Sequence, residues 1–243
     1  MIFLTRTTME KVKRGEKNMR THVLKIYYAK LIDGKPEYKE FSHNSDQFSN
    51  GHPTVLSDRK TMIFASDRPG GSGGTDLYKS VLDGSTWSEP ENLGKEINSI
   101  GNELFPTIVN DTLLYFASDG LPGYGGLDLY VSTFSNNKWG APVNLKAPIN
   151  SSYDDFAIAM AADLTSGFFS SDRPNGLGSD DIYAFRKASK PVKQGEEETK
   201  PALAVSNLNI SGKVIDKTTG IPIPGTKVFL LSTKTNKVKV LET

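Results

Sequence analysis

The strongest constraint on this chain is a stretch that it carries three times. Ser66-Asp67-Arg68-Pro69-Gly70-Gly71-Ser72-Gly73-Gly74-Thr75-Asp76-Leu77-Tyr78 returns as Ser118-Asp119-Gly120-Leu121-Pro122-Gly123-Tyr124-Gly125-Gly126-Leu127-Asp128-Leu129-Tyr130. It returns again as Ser171-Asp172-Arg173-Pro174-Asn175-Gly176-Leu177-Gly178-Ser179-Asp180-Asp181-Ile182-Tyr183. The copies are 52 and then 53 residues apart, and self-similarity at a fixed period of this size marks a repeat architecture.

Each copy lies between runs such as Thr61-Met62-Ile63-Phe64-Ala65 and Leu77-Tyr78-Lys79-Ser80-Val81, whose β-branched and aromatic content favours strands. The Gly- and Pro-rich stretch between them is a loop. Asp83-Gly84 suits a tight hairpin turn and predicts a further strand through Trp87. Trp87, Pro90, Asn92, Leu93, Ile97, Asn98 and Ser99 recur 52 residues on as Trp139, Pro142, Asn144, Leu145, Ile149, Asn150 and Ser151. An opening strand precedes each loop, beginning at His52, Phe105 and Phe156. Four short antiparallel strands per unit of about fifty residues predict propeller blades. On the Phe-x-Ser-Asp-x-Pro-Gly-Gly-x-Gly-Gly-x-Asp-Leu-Tyr block and the Trp-x-x-Pro-x-Asn-Leu-Gly-x-x-Ile-Asn-Ser tail, the chain resembles the TolB-like β-propeller repeat of bacterial cell-envelope proteins.

The expected fold is all-β: a partial propeller over residues 1–187, with blades at about 1–50, 51–101, 102–152 and 153–187. Two blades are complete and two have three strands, the first lacking its innermost strand and the last its outermost. Residues 1–6 match the second strand of a blade, with Ile2 in the place of Ile63, and the basic segment 7–21 reads as an inserted loop. A charged, Pro-containing linker follows at 188–205. From 206 to 243 the run Gly-x-Val-x-Asp-x-x-Thr-Gly-x-Pro-Ile-Pro-Gly resembles the opening of a carboxypeptidase-regulatory-like β-sandwich, with strands around Ile210 to Val214 and Val228 to Leu230. Unpaired blade edges and a short sandwich together lead to the expectation that this is a segment of a longer protein.

Charge narrows the partners. Residues 41–186 carry nine Lys/Arg against eighteen Asp/Glu, while each flank carries ten against five. An acidic repeat body argues against nucleic acid, which requires a basic face. There is no cysteine and no run of about eighteen apolar residues, so neither thiol chemistry nor a membrane-spanning helix is expected. The apolar part of the start is too short for a signal peptide, so an export signal would lie outside this sequence.

The repeated acids are the candidate site: Asp67 with Asp76, Asp119 with Asp128, and Asp172 with Asp180 and Asp181. Across a Gly-rich loop each pair could converge on a hard cation such as Ca²⁺. Equally, each carboxylate could accept N–H groups of its own turn, a device that would have to recur in every blade. Arg68 and Arg173 recur, with Gly120 in the middle copy, and could read a carboxylate or pair with Asp67 and Asp172 at the surface. The recurrent aromatics Phe64, Tyr78, Trp87, Phe116, Tyr130, Trp139, Phe169 and Tyr183 predict the core between blades.

A likeness of Ser80 to Trp87 to a sialidase repeat fails, since Asp83 and Gly84 are adjacent and the second copy has no Asp. His22, His43 and His52 fall in no triad or metal spacing, so no catalytic residue, metal or cofactor is expected. The resemblance implies a periplasmic or outer-membrane-associated scaffold that binds a protein partner. It would be part of an OmpA-family protein that touches peptidoglycan only through a domain beyond residue 243, in some members within secretion or gliding machinery. The alternative is a carbohydrate-binding or glycoside-cleaving propeller, with two carboxyl groups about 5–10 Å apart at one mouth.

Overall fold

A computed structural model describes residues 2–14, 17–32, 35–187, 227–231 and 238–242. All regular structure among these residues is β-strand. The chain divides into two compact units, Met1–Ser189 and Lys190–Thr243.

In the first unit, four antiparallel sheets follow one another along the chain in a propeller-like arrangement. The first holds β1 (Ile2–Arg14), β2 (Lys17–Ile32) and β3 (Lys35–Glu40). The second holds β4 (Asn50–Val55), β5 (Thr61–Ser66) and β6 (Asp76–Asp83), with its outer strand split into β7 (Thr86–Trp87) and β8 (Glu91–Asn92), both paired to β6. The third repeats that plan with β9 (Glu103–Val109), β10 (Leu113–Ser118), β11 (Asp128–Ser135), β12 (Lys138–Trp139) and β13 (Val143–Asn144). The fourth holds β14 (Asp155–Met160), β15 (Ser166–Ser171) and β16 (Asp181–Arg186).

Period-two alternation builds the core, because successive side chains of a strand face opposite sides of its sheet. On β5, Met62 and Phe64 pack with Ile26 and Tyr28 of the first sheet and with Phe41 just beyond it. Their neighbours Ile63 and Ala65 pack with Leu114 and Phe116 of the third. One step on, Tyr115 and Ala117 pack with Ile158 and Phe169 of the fourth. Sheets two and three are thus buried on both faces, and their central strands read as nearly continuous apolar runs.

Two features differ from the sequence reading. The basic segment 7–21 is not a loop: the β1–β2 ladder runs unbroken from Ile2↔Ala29 to Arg14↔Lys17. Its arms carry β-branched residues, with Thr7, Thr8 and Val12 on one and Thr21 and Val23 on the other, and the ladder pairs the facing backbone groups that a loop would leave to water. Thr5 pairs Ile26 as Ala65 pairs Leu77, so Phe3 and not Ile2 takes the place of Ile63.

The innermost strands also share a bulge. His52, Phe105 and Ala157 hold left-handed φ values of 52°, 52° and 51° where the ladders of β4, β9 and β14 shift register. In the second unit, β17 (Lys227–Leu231) pairs antiparallel with β18 (Val238–Glu242). The linker at 188–205 and the rest of the expected sandwich lie outside the described residues.

Candidate functional site

The recurring plan of each loop end begins with the asparagine that closes the Trp-x-x-Pro tail. Asn98 Oδ1 accepts the Leu77 N–H at 2.8 Å while its Nδ2 donates to the Leu77 carbonyl at 3.0 Å. Asn150 does the same at Leu129, and Asn44 at Ile26. One amide thereby mimics a neighbouring strand and fixes the segment that leads into the next sheet.

The acids divide into two kinds. Asp76 folds back into its own loop, where it accepts N–H bonds from Ser72 and Gly73 and one from Asn92 Nδ2 at 2.7 Å. Asp128 accepts from Tyr124 and Gly125, and Asp181 from Gly178. Gly71, Gly123 and Gly176 are required there, since a Cβ at each would run into the carboxylate of Asp76, Asp128 or Asp181.

Asp67, Asp119 and Asp172 reach instead to the segment that enters their own sheet. Asp119 accepts from Asn102 N and Nδ2, at 2.6 and 2.8 Å, and Asn102 Oδ1 in turn accepts the Thr75 N–H of the preceding sheet at 3.1 Å. Asp172 accepts from Asp154 N, and Asp154 accepts from Leu127 N; Asp67 accepts from Ser49 N, and Ser49 Oγ accepts from Leu24 N. These are stitches between consecutive sheets. The two acids of each copy turn to different partners.

Arg68 and Arg173 also face inward. The Arg68 guanidinium lies over the rings of Tyr78 and Phe64, 4.9 and 5.5 Å from their centroids, and donates to Asn50 Oδ1 at 2.9 Å. Arg173 lies 5.0 Å from the centroids of Phe169 and Tyr183 and pairs with the buried carboxylate of Asp155. In the middle copy Gly120 replaces the arginine and fully buried Glu103 stands where Asn50 and Asp155 do. Glu103 accepts hydrogen bonds from Ser99 N, Ser99 Oγ and Ser118 Oγ. Burial without a cation pushes its carboxyl above the usual carboxylate range, against the opposing pull of those hydrogen bonds.

A separate concavity lies away from the loop end. A groove of about 600 Å³ opens between the second and third sheets, beside the β11–β12 hairpin. None of the eight sequence-predicted residues lines it. Its origin is a change of three side chains between copies. At the first interface Trp87 is 2% exposed, edge-on to Phe3, Tyr28 and Phe41 with centroids 5.7–6.1 Å apart. At the second interface Ile63, Lys79 and Leu93 stand in the places of those three rings, and all three line the groove with Trp139. Trp139 keeps one ring neighbour, Phe134 of its own hairpin at 5.0 Å. Sequence reading placed Trp139 in the core because Trp87 and Trp139 match. The signal that finds the groove is what faces each tryptophan one repeat earlier.

Among the described residues no group of three or more His, Asp or Glu side chains is set to hold a metal ion, and no helix is long and apolar enough to cross a membrane. The fold and its recurring stitches define a propeller repeat protein of four blades. The chain matches no protein-family model and no curated protein.

Proposed function

We propose that the four-bladed unit is a non-enzymatic binding scaffold whose partner is a protein of the bacterial envelope, at the periplasm or outer membrane. On this reading it is a TolB-like repeat unit within an OmpA-family protein. That protein contacts peptidoglycan through a separate domain, carries a carboxypeptidase-regulatory-like module after the linker, and works with secretion or gliding machinery.

The observation that supports a scaffold is the division of labour at the loop end. The repeated acids and arginines are engaged in holding the sheets, while large apolar side chains there face water. Ile100 is 89% exposed, Leu177 is fully exposed, and Tyr124 and Tyr153 are exposed as well. All four belong to the Gly-rich loops or to the segments that enter the next sheet. Exposed apolar side chains on loops suit recognition of another protein.

The test is site-specific photo-crosslinking from position 100 and position 177 in envelope preparations. The expected result is one discrete protein adduct, lost when Ile100→Asp and Leu177→Asp are combined in a chain whose β-sheet circular dichroism is unchanged. Absence of any adduct from both positions in the folded chain contradicts the proposal.

A further inference from the structure

We infer that the groove between the second and third sheets is a binding site for a short neutral oligosaccharide, stacked on Trp139. Its volume of about 600 Å³ falls within the range of small-molecule sites. The floor is aromatic and aliphatic: Trp139 and Phe134, with Ile63 and Leu93 opposite. An indole face carries negative π-density, which meets the weakly positive C–H groups on the flat side of a pyranose.

The rim chooses among ligands. Lys79 is paired with Glu91 at 2.9 Å, and Lys138 and exposed Glu96 add one charge of each sign. Asp111 is committed to the backbone N–H and hydroxyl of Ser57 across the same interface. With two lysines set against two glutamates and Asp111 already engaged, a strongly charged ligand gains little. A purely apolar side chain would strip water from ammonium and carboxylate groups and give nothing back. A polyhydroxylated ring uses both kinds of group, because each hydroxyl donates to a carboxylate and accepts from an ammonium or amide. Asn137 supplies a donor and an acceptor on a rigid turn, since Asn136 and Asn137 hold φ values of 51° and 60°, the left-handed pair of a tight hairpin. The site is separate from the loop end and carries no claim of bond cleavage.

The chain contains two tryptophans and only Trp139 borders the groove, so the full-length protein reports on it directly. Tryptophan emission is titrated with cellotetraose, chitotriose, maltotetraose and xylotetraose, and binding is measured in parallel by calorimetry. At least one of these gives a saturable emission change and heat. Trp139→Ala weakens that binding by at least about tenfold, the loss of one stacking contact. A second variant keeps the tryptophan and refills the groove: Lys79→Tyr with Leu93→Phe restores two of the three rings of the first interface. It abolishes binding while circular dichroism and crosslinking from Ile100 stay as in the parent, so failure here is distinguishable from failure of the scaffold reading. The inference is overturned if none of the four sugars gives saturable heat, if the refilled variant binds as the parent does, or if an apolar peptide alone saturates the groove.

Discussion

Asn98 and Glu103 carry the most consequence per side chain. Asn98 bonds both backbone groups of Leu77 from within the core, so Asn98→Ala leaves the buried Leu77 N–H unpaired, while the Leu77 carbonyl keeps only the Leu93 N–H. The expected cost is about 2–3 kcal/mol, read as a lower urea midpoint, with an unchanged midpoint counting against this account. Glu103 sets a pH dependence. Its folded carboxyl binds a proton at higher pH than the unfolded one does, so its own contribution to stability is fully present below the ordinary carboxylate range and is lost as pH rises through the raised value. Glu103→Gln keeps acceptor and donor capacity for Ser99 and Ser118 and flattens that slope in urea melts across pH.

His52 adds the opposite limb. Burial lowers it from 6.5 to about 4, so stability declines as pH falls from about 6.5 towards 4. Arg173→Met leaves Asp155 buried with no cation and should cost about 3 kcal/mol at neutral pH. Arg173 as a recurring residue was visible in the sequence. Its place over Phe169 and against Asp155 was not, because those partners lie on two other strands and local spacing says nothing of which way a long side chain folds.

At the scale of strands and hairpins, the two tryptophans of the repeat behave differently. Trp87 is enclosed by the rings of Phe3, Tyr28 and Phe41, and Trp87→Ala should cost about 3–5 kcal/mol. Trp139 borders the groove, so Trp139→Ala should cost less than about 2 kcal/mol, because part of its surface is already in water. Equal losses for both, measured by denaturation, would contradict the assignment of the groove.

The strands of the complete blades were legible because period-two patterning and turn chemistry are local signals. The extension of β1 and β2 was not, since lysine-rich arms read as loop until the two arms are seen to pair. The bulges were hidden for a related reason: His52, Phe105 and Ala157 are residues that carry no turn signature, and their left-handed φ is imposed by the ladder. The groove escaped notice because it arises from Phe3, Tyr28 and Phe41 giving way to Ile63, Lys79 and Leu93, while the tryptophan itself recurs unchanged.

Across the first unit, the sheets are joined by the same means three times: apolar faces in contact, and an acid reaching through the entry segment to the preceding sheet. The repeat period in the sequence foretold that consecutive units would stack. It could not foretell which carboxylates hold the stack and which are left for a ligand, because the partners of each are a whole strand or more away. Ring contacts between the innermost strands give the most direct test. His52 stacks on Phe105 with centroids 4.0 Å apart, and Phe105 lies 5.1 Å from Phe156, so one series of rings links three successive sheets. Nuclear Overhauser spectra of aromatic-labelled full-length protein should show cross-peaks for His52 with Phe105, Phe105 with Phe156, and Tyr28 with Trp87. Cross-peaks confined to pairs within one sheet, such as Phe64 with Tyr78 or Phe169 with Tyr183, would contradict the stacking on which the account rests.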